Sequence, residues 1–245
     1  MKEELIAPAG ERTCTSAERM RRMTVRKNVV VELSAIAVLT TIFLLLFPRR
    51  SPVVDVALAG FALLCVALSA AYTKKTIWAA SRAPVAEHRM KGCLAVTLGI
   101  TLPPALVFLF IGGILAYKNG AWQEFAGRVF NWRILAAFGC YLPWALMQQT
   151  LLQFYVLGRL LALFPKPLLW VPFVITGICF GLVHLPDVWT ALATVAAGMV
   201  WSFIYYRYRL LLPLAFSHAL LGSAFYYGLF GQDLAAEWQS LFASP

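Results

Sequence analysis

The stretch LLWVPFVITGICFGLVHL, residues 168–185, leads through Pro186 and Asp187 into VWTALATVAAGMVWSFIYY, residues 188–206. From Leu168 to Tyr206 the only Asp, Glu, Lys or Arg is Asp187. A helix crossing a bilayer needs about 20 mostly apolar residues. Two runs of that size, parted by a two-residue turn, read as a helical hairpin in hydrocarbon. No backbone N–H or C=O can stay unpaired there, so the runs are helices and not open strands.

Working outward, five more runs share this character: Val29–Phe47, Val53–Tyr72, Cys93–Tyr117, Ile134–Leu163 and Leu210–Phe230. The expected fold is all-α, a polytopic transmembrane bundle of about seven spans. The composition agrees. Hydrophobic residues make up 61% of the 245 and charged residues 13%, whereas a soluble domain has roughly 45–50% and about 25%. Residues 1–28 form a basic tail, and 29–245 form one membrane domain. The tail holds seven Lys and Arg residues but no apolar core and no small-residue cleavage site, so it is not a removable leader.

The net charge is +10, and its distribution is uneven. With the N-terminus inside, the outer segments hold only Arg49, Arg50, Lys118, Arg128 and Arg133 of the 21 Lys and Arg. That bias predicts a cytoplasmic N-terminus in a plasma membrane, a bacterial inner membrane by preference. No aromatic residues interleave with the tail charges, so no nucleic-acid partner is expected. The five cysteines show no zinc-finger spacing and imply neither disulfides nor a structural metal. Residues 121–133 carry Trp122, Phe125, Val129 and Trp132 on one helical face, the pattern of a helix in the outer interface. Leu234, Trp238, Leu241 and Phe242 suggest a second short helix of this kind.

Polar side chains inside a membrane are costly and mark packing or function. Three clusters stand out. Gln148, Gln149 and Gln153 lie in the middle of the fourth run, with Gln149 and Gln153 on one face. Interhelical hydrogen bonding explains such glutamines as well as chemistry does. Phe180 and His184 stand one turn apart, with Asp187 just beyond and with Gly177 and Gly181 allowing close helix approach. Ser217 and His218 lie on the last run, with Gly222 one turn later on the face of His218. If the two histidines converge, they form a proton-transfer or oxyanion site. Alone they make a poor zinc site, because catalytic zinc takes three protein ligands. Asp187 is the only third donor at hand, so no cofactor is expected and zinc stays a minor alternative.

These clusters, in this order, resemble the CPBP family, the CAAX-processing and bacteriocin-processing (Abi) intramembrane proteases. The family motifs are Glu-Glu-x-x-x-Arg, Phe-x-x-x-His and His-x-x-x-Asn. The resemblance covers a core of about residues 141–230. Phe180 and His184 match the second motif, and His218 matches the third. The Glu pair falls on Gln148 and Gln149, the Arg on Gln153 and the Asn on Gly222. The resemblance implies a peptidase in which a glutamate activates water, while the histidines orient it and stabilise the oxyanion. Here each charged position of the first motif is an amide, and an amide cannot take the water's proton. Asp187, then Glu32 in the first run, are the candidate substitute bases. Three readings follow: an intramembrane endopeptidase acting on membrane-anchored proteins or peptides, a pseudoprotease that binds such segments, or a transporter using the histidines as a proton relay. Prenylated substrates belong to one branch of the family, and no residue here selects it.

Overall fold

The computed structural model of the chain describes residues 16–46, 57, 60–64, 67, 87–164 and 166–232, and none of these is in a β-strand. The helices are α1 Ser16–Leu46, α2 Glu87–Lys118, α3 Trp122–Val129, α4 Arg133–Gln149, α5 Leu157–Leu163, α6 Trp170–Leu182, α7 Val188–Tyr208 and α8 Leu212–Gly222. Thr150–Val156 joins α4 to α5 as a π-helix, and Ser223–Leu229 extends α8 in the same way. The π-helix is rare and recurs at functional sites. Both segments follow directly on residues singled out in the sequence, Gln149 and Gly222.

The helices follow the apolar runs. The run 134–163 is a single helical path from Arg133 to Leu163, with its π turn inside. Helix α1 begins at Ser16, so the end of the basic tail is already helical. Of the run 53–72, positions 57, 60–64 and 67 are helical, and the rest lies outside the described residues, as do residues 1–15 and the short helix expected after residue 233. Among the described residues, two helices are long and apolar enough to cross a membrane on their own, Arg89–Lys118 and Val188–Tyr208; Trp170–Leu182 is apolar but shorter. Large apolar side chains such as Phe110, Phe203 and Leu106 point outward, at 70%, 56% and 64% exposure. Lipid, not water, is the solvent that suits them.

Glycine fixes the hairpin of α6 and α7. A Cβ on Gly177 would stand 2.6 Å from Met199 Cγ and 2.7 Å from the Val195 carbonyl oxygen. One on Gly198 would stand 2.9 Å from the Gly177 Cα. The backbones therefore touch, as the small-residue spacing of Gly177 and Gly181 predicts. This contact carries the fully buried Phe180 into the core beside Leu157, Ile204 and Leu214. Helix α8 closes on α4 through Ala219 and Ala145, both wholly buried.

Helix α3 is shorter than the stretch 121–133 suggests and ends at Val129. Phe125 is buried against Gly112 and Gly113 of α2, and Glu124 pairs with Arg128 at 2.8 Å. Trp132 does not share this face. It precedes α4 and is 70% exposed.

Candidate active site

The two histidines converge. His218 sits on α8 at 4% exposure, and His184 lies in the turn that ends α6. Phe180 stands edge-on between them, its ring centroid 5.0 Å from that of His184 and 5.2 Å from that of His218. The Trp201 ring lies 4.9 Å from His218 on another side, and Tyr141 is edge-on at 6.0 Å. Both histidines, with Gly222 and Tyr141, line one cavity of about 80 Å³.

Hydrogen bonds give the two rings opposite polarity. His184 Nδ1 is 2.8 Å from the Phe180 carbonyl oxygen. A carbonyl only accepts, so Nδ1 carries the proton and Nε2 is the ring's acceptor. His218 Nδ1 has a long 3.5 Å contact with Gln149 Nε2. With the amide in this orientation an N–H faces the ring, so Nδ1 accepts and the ring proton sits on Nε2.

The glutamines stand behind this cavity and do not line it. Gln149 and Gln153 are each 1% exposed. Gln153 Oε1 lies 2.9 Å from Ser202 Oγ on α7, which is also 2.7 Å from the Gly198 carbonyl. One serine proton thus faces two acceptors. Gln148 Oε1, Gln149 Oε1 and Gln153 Nε2 are buried without a protein hydrogen bond among the described residues. Such orphan amide atoms cost free energy unless water or a ligand meets them.

Ser217 is fully engaged. Thr101 Oγ1 gives its proton to the Thr97 carbonyl, so Ser217 donates to Thr101 Oγ1 at 2.6 Å and accepts from Trp201 Nε1 at 2.9 Å. This buried chain ties α2, α7 and α8 together and sets the Trp201 ring against His218.

The family model for type II CAAX prenyl endopeptidase Rce1-like proteins matches residues 103–224, which span all three clusters. The chain belongs to the CPBP family. No curated protein and no solved structure matches it. CPBP proteins are intramembrane peptidases of the CAAX-protease kind, and the apolar helices described above suit that class.

Against the CPBP motifs, neither candidate substitute base stands in the cavity. Asp187 caps α7. Its Oδ1 accepts the N–H of Trp189 at 3.1 Å and of Thr190 at 3.2 Å, and its Oδ2 accepts the Thr190 hydroxyl. The Thr190 hydroxyl first, and then these backbone donors, hold the carboxyl below its ordinary range, with a smaller contribution from His184. A carboxylate stabilised in this way is a weak base. Glu32 lies on another face of the molecule. Its Oε2 accepts the Tyr155 hydroxyl at 3.0 Å and stands 3.0 Å from Arg159 Nε, off the N–H axis, so that pair is chiefly ionic. No carboxylate lines the cavity among the described residues, and no three His, Cys, Asp or Glu side chains among them cluster as a metal site.

Sequence reasoning missed Tyr141 and Trp201, aromatic residues with no motif to mark them. A signal existed for Tyr141, because Gly222 replaces a side chain in the third motif. The Tyr141 ring takes that room: a Cβ on Gly222 would lie 2.6 Å from its Cε1 and 2.7 Å from its Cζ.

Proposed function

We propose that the chain is an intramembrane endopeptidase of atypical site, in which His184 replaces the missing glutamate as the general base. One observation carries this reading: two histidines of opposite polarity line one cavity. Water gives a proton to His184 Nε2 as its oxygen attacks the peptide carbonyl carbon. The carbonyl electron pair moves onto oxygen, which the Nε2–H of His218 receives. The C–N bond then breaks, and His184 returns the proton to the leaving nitrogen. The products are a carboxylate terminus and an amine terminus. Asp187 serves as a counter-charge while His184 is an imidazolium. The substrate is a membrane-anchored protein or peptide. The chain makes about seven spans with its N-terminus in the cytoplasm, a topology supported by the bias of Lys and Arg.

That no carboxylate lines the cavity among the described residues favours a second reading, a pseudoprotease that holds membrane segments without cutting them. An inventory of peptide termini in the membrane fraction separates the two. Wild type, a deletion strain and a His184→Ala/His218→Ala strain are compared at matched expression. Termini lost in both the deletion and the histidine variant support the peptidase. Termini that change only on deletion, or not at all, remove it and leave the binding protein.

A further inference from the structure

We infer that the cavity is served from the outer face of the membrane. The scissile bond and the attacking water both enter from the side opposite the cytoplasm, so the substrate is a membrane protein or peptide that presents its cleaved segment on that face. The inference rests on the peptidase reading and on the topology proposed with it.

Contacts between helix ends sort the charges onto two ends of the bundle. At one end, Arg26 Nη2 donates to the Leu163 carbonyl oxygen at 3.3 Å, which brings the start of α1 to the end of α5. A Cβ on Gly92 would lie 3.5 Å from Tyr208 Cε1, which brings the start of α2 to the end of α7. Arg26, Lys27, Arg89, Lys91, Arg207 and Arg209 thus share this end. At the other end, a Cβ on Gly112 would stand 2.9 Å from the Gly228 carbonyl oxygen, and one on Gly231 2.7 Å from Arg128 Nη1. That end has Lys118, Arg133 and Arg128, the last paired with Glu124. Tyr117, Trp132 and Trp189 are exposed there, aromatic residues that suit a membrane interface. The excess of positive charge marks the first end as cytoplasmic.

Helix α7 gives the depth scale. At 1.5 Å per residue, Val188–Tyr208 spans about 31 Å, the thickness of a hydrocarbon core. Its residues in the cavity wall run from Thr190 through Ala193, Thr194 and Ala197 to Trp201. The wall therefore begins about 3 Å from the outer start of α7 and ends about 20 Å in. Beyond it, Ile204 and Tyr205 pack with Leu210 and Leu214 in the buried cluster that also holds Trp201. This cluster floors the cavity and leaves about 10 Å of packed helix between Trp201 and Tyr208. Exposure falls in the same direction: Ala193 is exposed, His184 half-buried and His218 buried. A peptide or a water coming from the cytoplasm would have to open the cluster, and one coming from the outer face would not.

The test reads the membrane side directly. Ala193→Cys and, separately, Thr194→Cys are made in the full chain. A membrane-impermeant charged maleimide is given to right-side-out and to inside-out membrane vesicles, and labelling is the excess over the chain without the added cysteine. Arg26→Cys marks the cytoplasmic end. Expected is labelling at positions 193 and 194 in right-side-out vesicles and its loss in inside-out ones, with the reverse at position 26. Blocking position 193 should also abolish the termini that wild type generates. Labelling at 193 and 194 from the cytoplasmic side, or from neither side, overturns the inference and leaves the peptidase standing. Labelling at 26 from the outer face overturns it by inverting the topology. Termini unchanged after the block overturn it as well, because the substrate then uses another route. If wild type generates no terminus at all, the peptidase reading fails even where the labelling is as expected, and the outer face has no substrate assigned to it.

Discussion

The helical run from α4 to α5 carries polar side chains on two sides, and the two sides are built differently. Towards α7 and α8 stand Gln149 and Gln153, neutral amides at 1% exposure. Towards α1 stand Tyr155 and Arg159, joined to Glu32 in an ionic cluster whose charged side chains are 16% and 32% exposed. Arg159 also lies over the Tyr155 ring at 5.2 Å. Burying a charge costs far more than burying a dipole. The molecule accordingly keeps full charges where each end retains some solvent, and uses amides where none does. The two sides therefore have separate tasks: the charged side docks α1, and the neutral side orients a histidine.

The largest expected effect tests the neutral side. His184→Ala removes the proposed base, and loss of a general base lowers rate by about 10²–10⁴-fold. Cleavage of a membrane peptide by the purified chain should fall by that factor while the thermal midpoint stays put. A variant that cleaves normally would move the chemistry elsewhere in the molecule.

Next comes Gly222→Ala. The added methyl meets Cε1 and Cζ of Tyr141, and overpacking of this kind costs about 1–3 kcal/mol. Thermal unfolding should register the loss, and cleavage should fall with it because the Tyr141 ring is displaced from beside His218. Retained stability would mean that α4 and α8 can separate at little cost.

Glu32→Gln tests the charged side. Removing one partner of a buried pair costs 3–5 kcal/mol, and partial exposure lowers that here to about 1–2 kcal/mol. The double variant Glu32→Gln/Arg159→Gln removes both members of this pair and should recover part of it. Cleavage should not change in either. If cleavage falls while stability holds, the two sides are coupled through the π-helix between them, and the division of tasks is wrong.

Much of this was legible in the sequence. Gly177 and Gly181 announced the backbone contact of α6 with α7, because only small residues permit it. His184 and His218 could be picked out because polar groups are rare in apolar helices, and Phe180 because it stands one turn before His184; the three do meet. The parts that stayed hidden depend on the third dimension. Gln149 and Gln153 share a helix face, but sequence could not say that this face looks at the back of His218 and at Ser202 while the cavity opens elsewhere. Asp187 sits three residues from His184, close enough to suggest a base. Its position before α7 makes it a cap first, a role set by the orphan N–H groups of Trp189 and Thr190. Tyr141 carries no motif, and only the shape of Gly222 reveals it.

The smallest effect concerns Asp187 and separates its two roles. Asp187→Ala removes the cap and should cost about 1 kcal/mol. Asp187→Asn keeps an acceptor for the same N–H groups and should leave stability near wild type. For the wild-type residue the folded carboxyl ionises more readily than the unfolded one. Its contribution is therefore present at neutral pH and is lost as pH falls below about 4, through the carboxylate range. The Ala variant should lack that acid-sensitive part of the unfolding curve. Cleavage reads the second role. An exposed counter-charge is worth about 1 kcal/mol to an imidazolium, so Asp187→Asn should slow the reaction about fivefold. A loss of several hundredfold would instead make Asp187 the base and would return a carboxylate to the chemistry of this neutral site.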